Sequence, residues 1–204
     1  MAESIRLLLA DDQALVRGAL AALLGLEPDL EVAVEVDRGD QVLDAVRAHA
    51  IDVALLDIEM PGLDGIAVAE LLAAEAPDVR SLIVTTFGRP GYLRRAMDAG
   101  ASGFVVKDTP ADELADAVRR VHQGLRVVDP GLATESVIEG SNPLTERERE
   151  VLRHVLSGAP IADVADSVAL SEGTVRNYLS TAATKTNARS SAEAAVIARD
   201  RGWL

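Results

Sequence analysis

Along the first 123 residues, short apolar runs alternate with longer amphipathic stretches. The runs Ile5–Ala10, Glu31–Val36, Val53–Leu56, Leu82–Thr85 and Gly103–Val106 have the length and the branched-chain content of strands. The segments between them, near 14–26, 40–50, 65–75, 90–99 and 111–123, place apolar residues at helical spacing. This βα repeat predicts an α/β fold, a five-stranded, doubly wound parallel sheet with helices on both faces. Ligands of such a sheet bind beyond the carboxyl ends of its strands.

The rhythm stops after His122-Gln123-Gly124, and turn formers follow in Asp129-Pro130-Gly131 and Gly140-Ser141-Asn142-Pro143. Residues 124–142 are therefore expected to be a linker between a domain over 1–123 and a second over 143–204. The second domain reads as helices only: Glu146–Ser157, Ile161–Val168, Glu172–Thr184 and Ser191–Arg201. Thr145 followed by Glu148 has capping-box spacing, which marks a helix start.

With 49% of its residues apolar, the chain has material for sizeable cores. Absence of cysteine removes disulfides, thiolate nucleophiles and Cys-ligated metals, and three scattered histidines argue against a His-based metal site. The longest apolar stretches, such as Ala19 to Leu26, fall short of the roughly 18 to 20 residues of a membrane span. No signal-peptide pattern opens the chain, so a soluble, cytoplasmic protein is expected. The net charge of −13 argues against nucleic acid as a partner, but its distribution changes that inference. Residues 1–141 hold 12 basic and 25 acidic side chains, whereas 142–204 hold 8 of each, so the whole excess lies in the first two-thirds. Such asymmetry suggests two domains with different partners.

Candidate chemistry gathers at strand ends. Asp11 and Asp12 close the first strand and Asp57 the third, and in a parallel sheet these ends converge. Clustered carboxylates repel one another, and a hard divalent cation such as Mg²⁺ relieves that repulsion with all-oxygen ligation. Thr85 and Lys107, at the ends of the fourth and fifth strands, add a hydroxyl and a fixed positive charge. Together they make the set needed to accept and stabilise a phosphoryl group. Taken singly, each Asp also fits an N-cap or turn role. Asp57 with Glu59 superficially suits an aspartyl-phosphate phosphatase, although no substrate cap is evident.

These residues resemble the receiver domain of bacterial response regulators. The resemblance is carried by Leu9-Ala10-Asp11-Asp12-Gln13, by Leu55-Leu56-Asp57-Ile58-Glu59-Met60-Pro61-Gly62-Leu63-Asp64-Gly65, by Thr85 and by Gly103-Phe104-Val105-Val106-Lys107. It implies that Asp57 takes phosphate from a sensor histidine kinase. It further implies that Asp12, Asp57 and the backbone carbonyl of Glu59 bind Mg²⁺ directly, with Asp11 assisting through water. Thr85 and Lys107 would sense the phosphoryl oxygens, and Phe104 would be the aromatic switch that turns inward as Thr85 moves. Such a protein is not an enzyme toward an external substrate, although its receiver catalyses its own phosphorylation and dephosphorylation. The proline that often follows the lysine directly is displaced to Pro110, which leaves the geometry of the Lys107–Asp108 peptide open.

In the second domain, Ile161–Val168 and Glu172–Thr184 are joined by Ala169-Leu170-Ser171, about the turn length of a helix-turn-helix. Spacing alone leaves open a helical bundle used for protein contacts. If the second helix enters a major groove, Arg176 and Asn177 become candidates to read guanine and adenine edges. Thr174, Ser180, Lys185 and Arg189 become candidate base or phosphate contacts. Residues 143–204 resemble the LuxR-type output domain of the NarL/FixJ regulators, through Pro143-Leu144-Thr145-Glu146-Arg147-Glu148, Gly158, Ile161-Ala162-Asp163-Val164-Ala165, Leu170-Ser171-Glu172-Gly173-Thr174-Val175-Arg176-Asn177-Tyr178 and Lys185. By that resemblance Arg176, Asn177 and Ser180 face the groove, and Val175, Leu179 and Ala182 pack inward. Two departures are Pro160 at the start of the scaffold helix and the polar Thr186-Asn187-Ala188, which is expected to loosen the end of the recognition helix or to alter dimer contacts. The stretch from Thr85 to Tyr92 and the ending Arg201-Gly202-Trp203-Leu204 resemble the subgroup that includes the regulator of a membrane-lipid desaturase. The partners implied are a sensor kinase, double-stranded DNA and, on phosphorylation, a second copy of the chain; a regulator acting through protein contacts without phosphorylation is the alternative.

Overall fold

The computed structural model describes residues 4–86, 88, 90–129, 131–133 and 142–204, with the backbone alone at 90 and 200. Residues 87 and 89 of the expected subgroup motif, and 130 and 134–141 of the expected linker, lie outside the described residues. The chain divides into two compact units, residues 1–88 with 93–134 and residues 89–92 with 135–204.

In the first unit the strands are β1 Ile5–Ala10, β2 Leu30–Val36, β3 Val53–Leu56, β4 Arg80–Thr85, β5 Gly103–Val106 and β6 Val127–Val128. The helices are α1 Ala14–Leu24, α2 Val42–His49, α3 Gly65–Glu75, α4 Pro90–Asp98 and α5 Ala111–His122. All strand pairs are parallel, in the order β2-β1-β3-β4-β5-β6. The sheet has six strands where the sequence predicts five. The extra strand occupies the start of the expected linker, pairing Val127 with Gly103 and Val128 with Phe104 on the exposed edge of β5. Two valines carry no periodicity, so only the waiting edge makes them a strand.

Helices on both faces explain why Leu7-Leu8-Leu9 and Val53-Ala54-Leu55-Leu56 read as unbroken apolar runs: every one of these side chains is buried. One face packs Leu7, Leu9, Val53, Leu55, Val84 and Val105 against Leu114, Val118 and Val121 of α5 and Leu24 of α1. The chain runs from β1 outward to β2 and then returns to β3 on the other side of β1, so the carboxyl ends of β1 and β3 border the switch point at which such sheets bind ligands.

In the second unit four helices, α6 Glu146–Leu156, α7 Ile161–Ser167, α8 Glu172–Thr186 and α9 Ser191–Asp200, close around Val151, Leu152, Val164, Val175, Leu179 and Trp203. Thr145, Ser171 and Ser190 cap α6, α8 and α9, each side chain accepting from a backbone N–H three residues on. The Thr145–Glu148 capping box forms in both directions. The polar residues expected to loosen the end of α8 or to alter dimer contacts are hydrogen-bonded there. The buried Thr186 hydroxyl donates to the Ala182 carbonyl at 2.8 Å, and Asn187 takes the left-handed conformation that ends the helix (φ 55°). The Ala188 N–H then closes onto the Ala183 carbonyl at 2.8 Å. Among the described residues no helix is long and apolar enough to cross a membrane.

Candidate functional site

The ends of β1, β3, β4 and β5 bring Asp11, Asp12, Asp57, Thr85 and Lys107 together. The Asp57 N–H donates to the Ala10 carbonyl at 2.9 Å, which ties the end of β3 to the end of β1, and the Lys107 N–H donates to the Thr85 carbonyl at 2.8 Å, which ties β5 to β4. Lys107 Nζ lies 2.7 Å from Asp11 Oδ2 and 3.0 Å from Asp57 Oδ2. One ammonium thus bridges both carboxylates through short, charge-assisted contacts. The other oxygens are engaged by backbone: Asp57 Oδ1 accepts from the Ile58 N–H at 2.8 Å and Asp11 Oδ1 from the Gln13 N–H at 2.9 Å.

Burial pushes the Asp57 carboxyl above the ordinary aspartate range; the Lys107 ammonium opposes that shift and the Asp11 charge adds to it. Burial also works against the Lys107 charge, but the two carboxylates outweigh it and hold the ammonium above its usual range. Asp12 is exposed at the rim, and one oxygen from each of Asp11, Asp12 and Asp57 lies within 4.8 Å of the others. The Asp57 carboxylate opens onto a cavity of about 220 Å³ lined also by Gln13, Glu59, Thr85 and Thr86. Gly65 is required beside it, because a Cβ there would lie 2.0 Å from the Asp57 carbonyl oxygen, and this close approach seats α3 against the loop that follows β3.

Phe104, the expected switch aromatic, is fully buried on β5, paired in register with Ile83. The Lys107–Asp108 peptide is trans, and Pro110 serves as the residue before α5. Three residues of this site are not singled out by the sequence. Gln13 and Thr86 line the cavity; they follow Asp12 and Thr85 directly and could have been found by extending each strand end by one residue. Arg17 of α1 donates from Nη1 to the Asp11 carbonyl at 2.5 Å and pairs with Glu35 at 3.4 Å, contacts that no spacing rule reveals.

In the second unit, α7 and α8 are joined through Ala169, which takes a positive φ of 54°, and Leu170, whose N–H reaches back to the Ala165 carbonyl at 2.9 Å. Ser171 caps α8, and its hydroxyl also bonds the Thr174 hydroxyl at 2.9 Å, so Thr174 is half-buried at the cap. Val175, Leu179 and Ala182 point into the core as expected. Arg176, Asn177 and Ser180 share the exposed face, and Thr181 and Thr184, not singled out by the sequence, extend it by the same helical spacing. Arg176 pairs with Glu172 one turn back at 2.6 Å in a solvent-exposed bridge. Arg189 lies exposed beyond α8. Lys185, also in the expected set, pairs its ammonium at 2.8 Å with the buried Glu148 carboxylate of α6 while its side chain stays 32% exposed.

Comparison with known proteins finds both halves. Residues 7–119 match the response regulator receiver domain family, and residues 142–198 match the family of bacterial regulatory proteins, luxR family. Over 200 residues the chain is 44% identical to the uncharacterized transcriptional regulatory protein YvfU of Bacillus subtilis (strain 168), covering 98% of this chain and 100% of that one. It is 40% identical over 200 residues to the transcriptional regulatory protein DesR of the same organism, covering 98% and 99%. Among solved structures, the crystal structure of response regulator ChrA in a heme-sensing two-component system aligns with a TM-score of 0.60 at 32% identity, covering 98% of this chain and 99% of that one. Because both families match in order and the relatives are covered end to end, the chain belongs to the two-component response regulators that join a receiver domain to a LuxR-type DNA-binding domain and regulate transcription.

Proposed function

We propose that Asp57 is the phosphoacceptor of this regulator, that a sensor histidine kinase supplies the phosphoryl group, and that the phosphorylated receiver dimerises and drives sequence-specific DNA binding. In this reading residues 1–123 are the receiver, 143–204 the output domain and 124–142 the segment joining them, and the protein works in the cytoplasm. The observation that carries it is the Asp57 carboxylate at a 220 Å³ cavity, with Thr85 on its wall and the Lys107 ammonium 3.0 Å away.

In the transfer, an Asp57 oxygen forms the new P–O bond while the donor's P–N bond breaks and its electron pair leaves on the donor imidazole. Lys107 supplies a fixed cation and Thr85 a hydroxyl to the incoming oxygens, groups that stabilise the charge on a transferred phosphoryl. Three carboxylates with oxygens within 4.8 Å of one another are a hard, all-oxygen donor set that fits Mg²⁺. Asp12, Asp57 and the Glu59 carbonyl would hold the ion, with Asp11 acting through water. When bound it supplies neutralisation of the transferred group's charge.

Phosphorylation adds about −1.5 to −2 charge at Asp57. Thr85 closes toward that charge against Phe104, which is already fully buried, so the receiver surface changes and a second receiver is bound. On DNA, Arg176 and Asn177 read base edges while Thr174 and Ser180 serve bases or phosphates. Arg176 gives up only an exposed bridge to Glu172 to do so, at small cost.

The test is labelling of the full chain by acetyl phosphate with Mg²⁺, followed by mass spectrometry. The expected result is one phosphoryl group per chain, cleaved by base and by hydroxylamine, and none in Asp57→Ala. Undiminished labelling of Asp57→Ala overturns the assignment, and steady turnover of small phosphoesters would support a phosphatase instead.

A further inference from the structure

We infer that Lys185, the cationic residue near the end of the recognition helix, is a positioning residue and not a DNA contact: its ion pair with the buried Glu148 fixes α8 against α6 and so sets how Arg176, Asn177 and Ser180 are presented. This rests on the DNA-binding reading of the second unit.

Glu148 is the third residue of α6 and only 3% exposed. One of its oxygens, Oε2, accepts both the Thr145 N–H at 2.6 Å and the Lys185 ammonium at 2.8 Å, while the Thr145 hydroxyl accepts the Glu148 N–H. A single carboxylate oxygen therefore joins the start of α6 to the last turn of α8. The arginines of α6 do not relieve Lys185 of this duty, because Arg147 is turned to Glu150, and Arg149 and Arg153 to Glu146. Burial alone would raise the Glu148 carboxyl, but Lys185 and the Thr145 groups outweigh it and hold it below the ordinary glutamate range.

If Lys185 swung out to a phosphate, Glu148 would be left buried, ionised and unpaired. The pair is buried only at its acidic end, since the Lys185 side chain is 32% exposed, but removing the lysine leaves the Glu148 charge poorly hydrated, which is destabilising. That orphaned negative charge would also lie under a helix placed against polyanionic DNA. Thr186 and Asn187 lock the same turn, so the pair acts on a helix end that does not fray.

A phosphate contact and a positioning pair make opposite demands on Glu148, and this decides the experiment. The full-length protein is titrated onto a duplex that the unaltered protein selects from a randomised pool, by fluorescence anisotropy over a series of salt concentrations. Lys185→Met is expected to weaken binding about tenfold with the slope of log K against log salt unchanged. Glu148→Gln keeps an acceptor for the Thr145 N–H, so the cap survives, and it is expected to weaken binding as well. The double variant is expected to bind no worse than either single one, as for two halves of one interaction. A phosphate contact instead gives a slope shallower by about one for Lys185→Met, tighter binding for Glu148→Gln, and the same Lys185→Met loss in both backgrounds. Any of those three results overturns the inference, and so does unchanged affinity in both single variants. Should Lys185→Met fail to fold, the sign of the Glu148→Gln effect decides alone. Should the pool yield no duplex at all, the DNA-binding reading falls first and this inference with it.

Discussion

Lys107 faces Asp11 at 2.7 Å and Asp57 at 3.0 Å, so one positive charge serves two buried negative ones. That deficit of one charge adds to burial, the larger cause, in raising the Asp57 carboxyl even with a cation beside it. Lys107→Met keeps most of the aliphatic stem and deletes the charge, leaving both carboxylates uncompensated. The expected result is a loss of about 3 kcal/mol in urea unfolding of the receiver. Because the deficit is electrostatic, Mg²⁺ should then raise the melting temperature of Lys107→Met more than that of the unaltered protein. An equal or smaller Mg²⁺ shift would show that the loss came from packing and would refute the charge deficit. The residues of this pocket are legible in the sequence because each stands at a predicted strand end and the fold brings those ends to one edge. Arg17 is not, since its tie to the Asp11 carbonyl depends on how α1 lies over β1, and an arginine on a helix carries no sign of which backbone oxygen it meets.

Elements follow the sequence where burial imposes a period and depart from it where a neighbour does. β1, β3 and β5 fall where their apolar runs predict, because strands covered on both faces need unbroken apolar sequence. β6 has no such pattern, and its two valines are ordered by the open edge of β5. The Glu148–Lys185 pair escapes the sequence for the same reason: the partners lie on different helices, and only their packing joins them. Thr186-Asn187-Ala188 shows how residue type misleads when conformation is unknown. Its polarity suggests weakness, yet Thr186 hydrogen-bonds back into the helix and Asn187 occupies the left-handed position that asparagine tolerates better than most residues. Asn187→Ala is therefore expected to cost about 1 kcal/mol of stability in the second unit, and Asn187→Gly only a few tenths. Urea unfolding of the full chain followed by Trp203 fluorescence measures both, and equal losses for Ala and Gly would mean that the left-handed backbone is not what Asn187 is there for.

For the molecule as a whole, the charge asymmetry limits what phosphorylation can do. Residues 142–204 carry 8 basic and 8 acidic side chains, and Arg176 and Lys185 already have acidic partners, so a single output domain releases few counterions from DNA. Phosphorylation adds negative charge to a half that already holds the whole excess of 13. Electrostatics alone would then weaken DNA binding in the phosphorylated state. In the proposed dimer the gain in affinity comes from doubling the contacts, with two recognition helices on half-sites about one helical turn apart. Beryllofluoride, as a phosphoryl mimic, should make the protein dimeric in sedimentation, tighten its binding to the selected duplex, and about double the slope of log K against log salt, since twice as many phosphates are contacted. Asp57→Ala should remain monomeric, with the shallow slope in both conditions. If affinity rises while the protein stays monomeric and the slope stays fixed, the receiver acts by uncovering a recognition helix that was blocked, and pairing of two chains is not the switch.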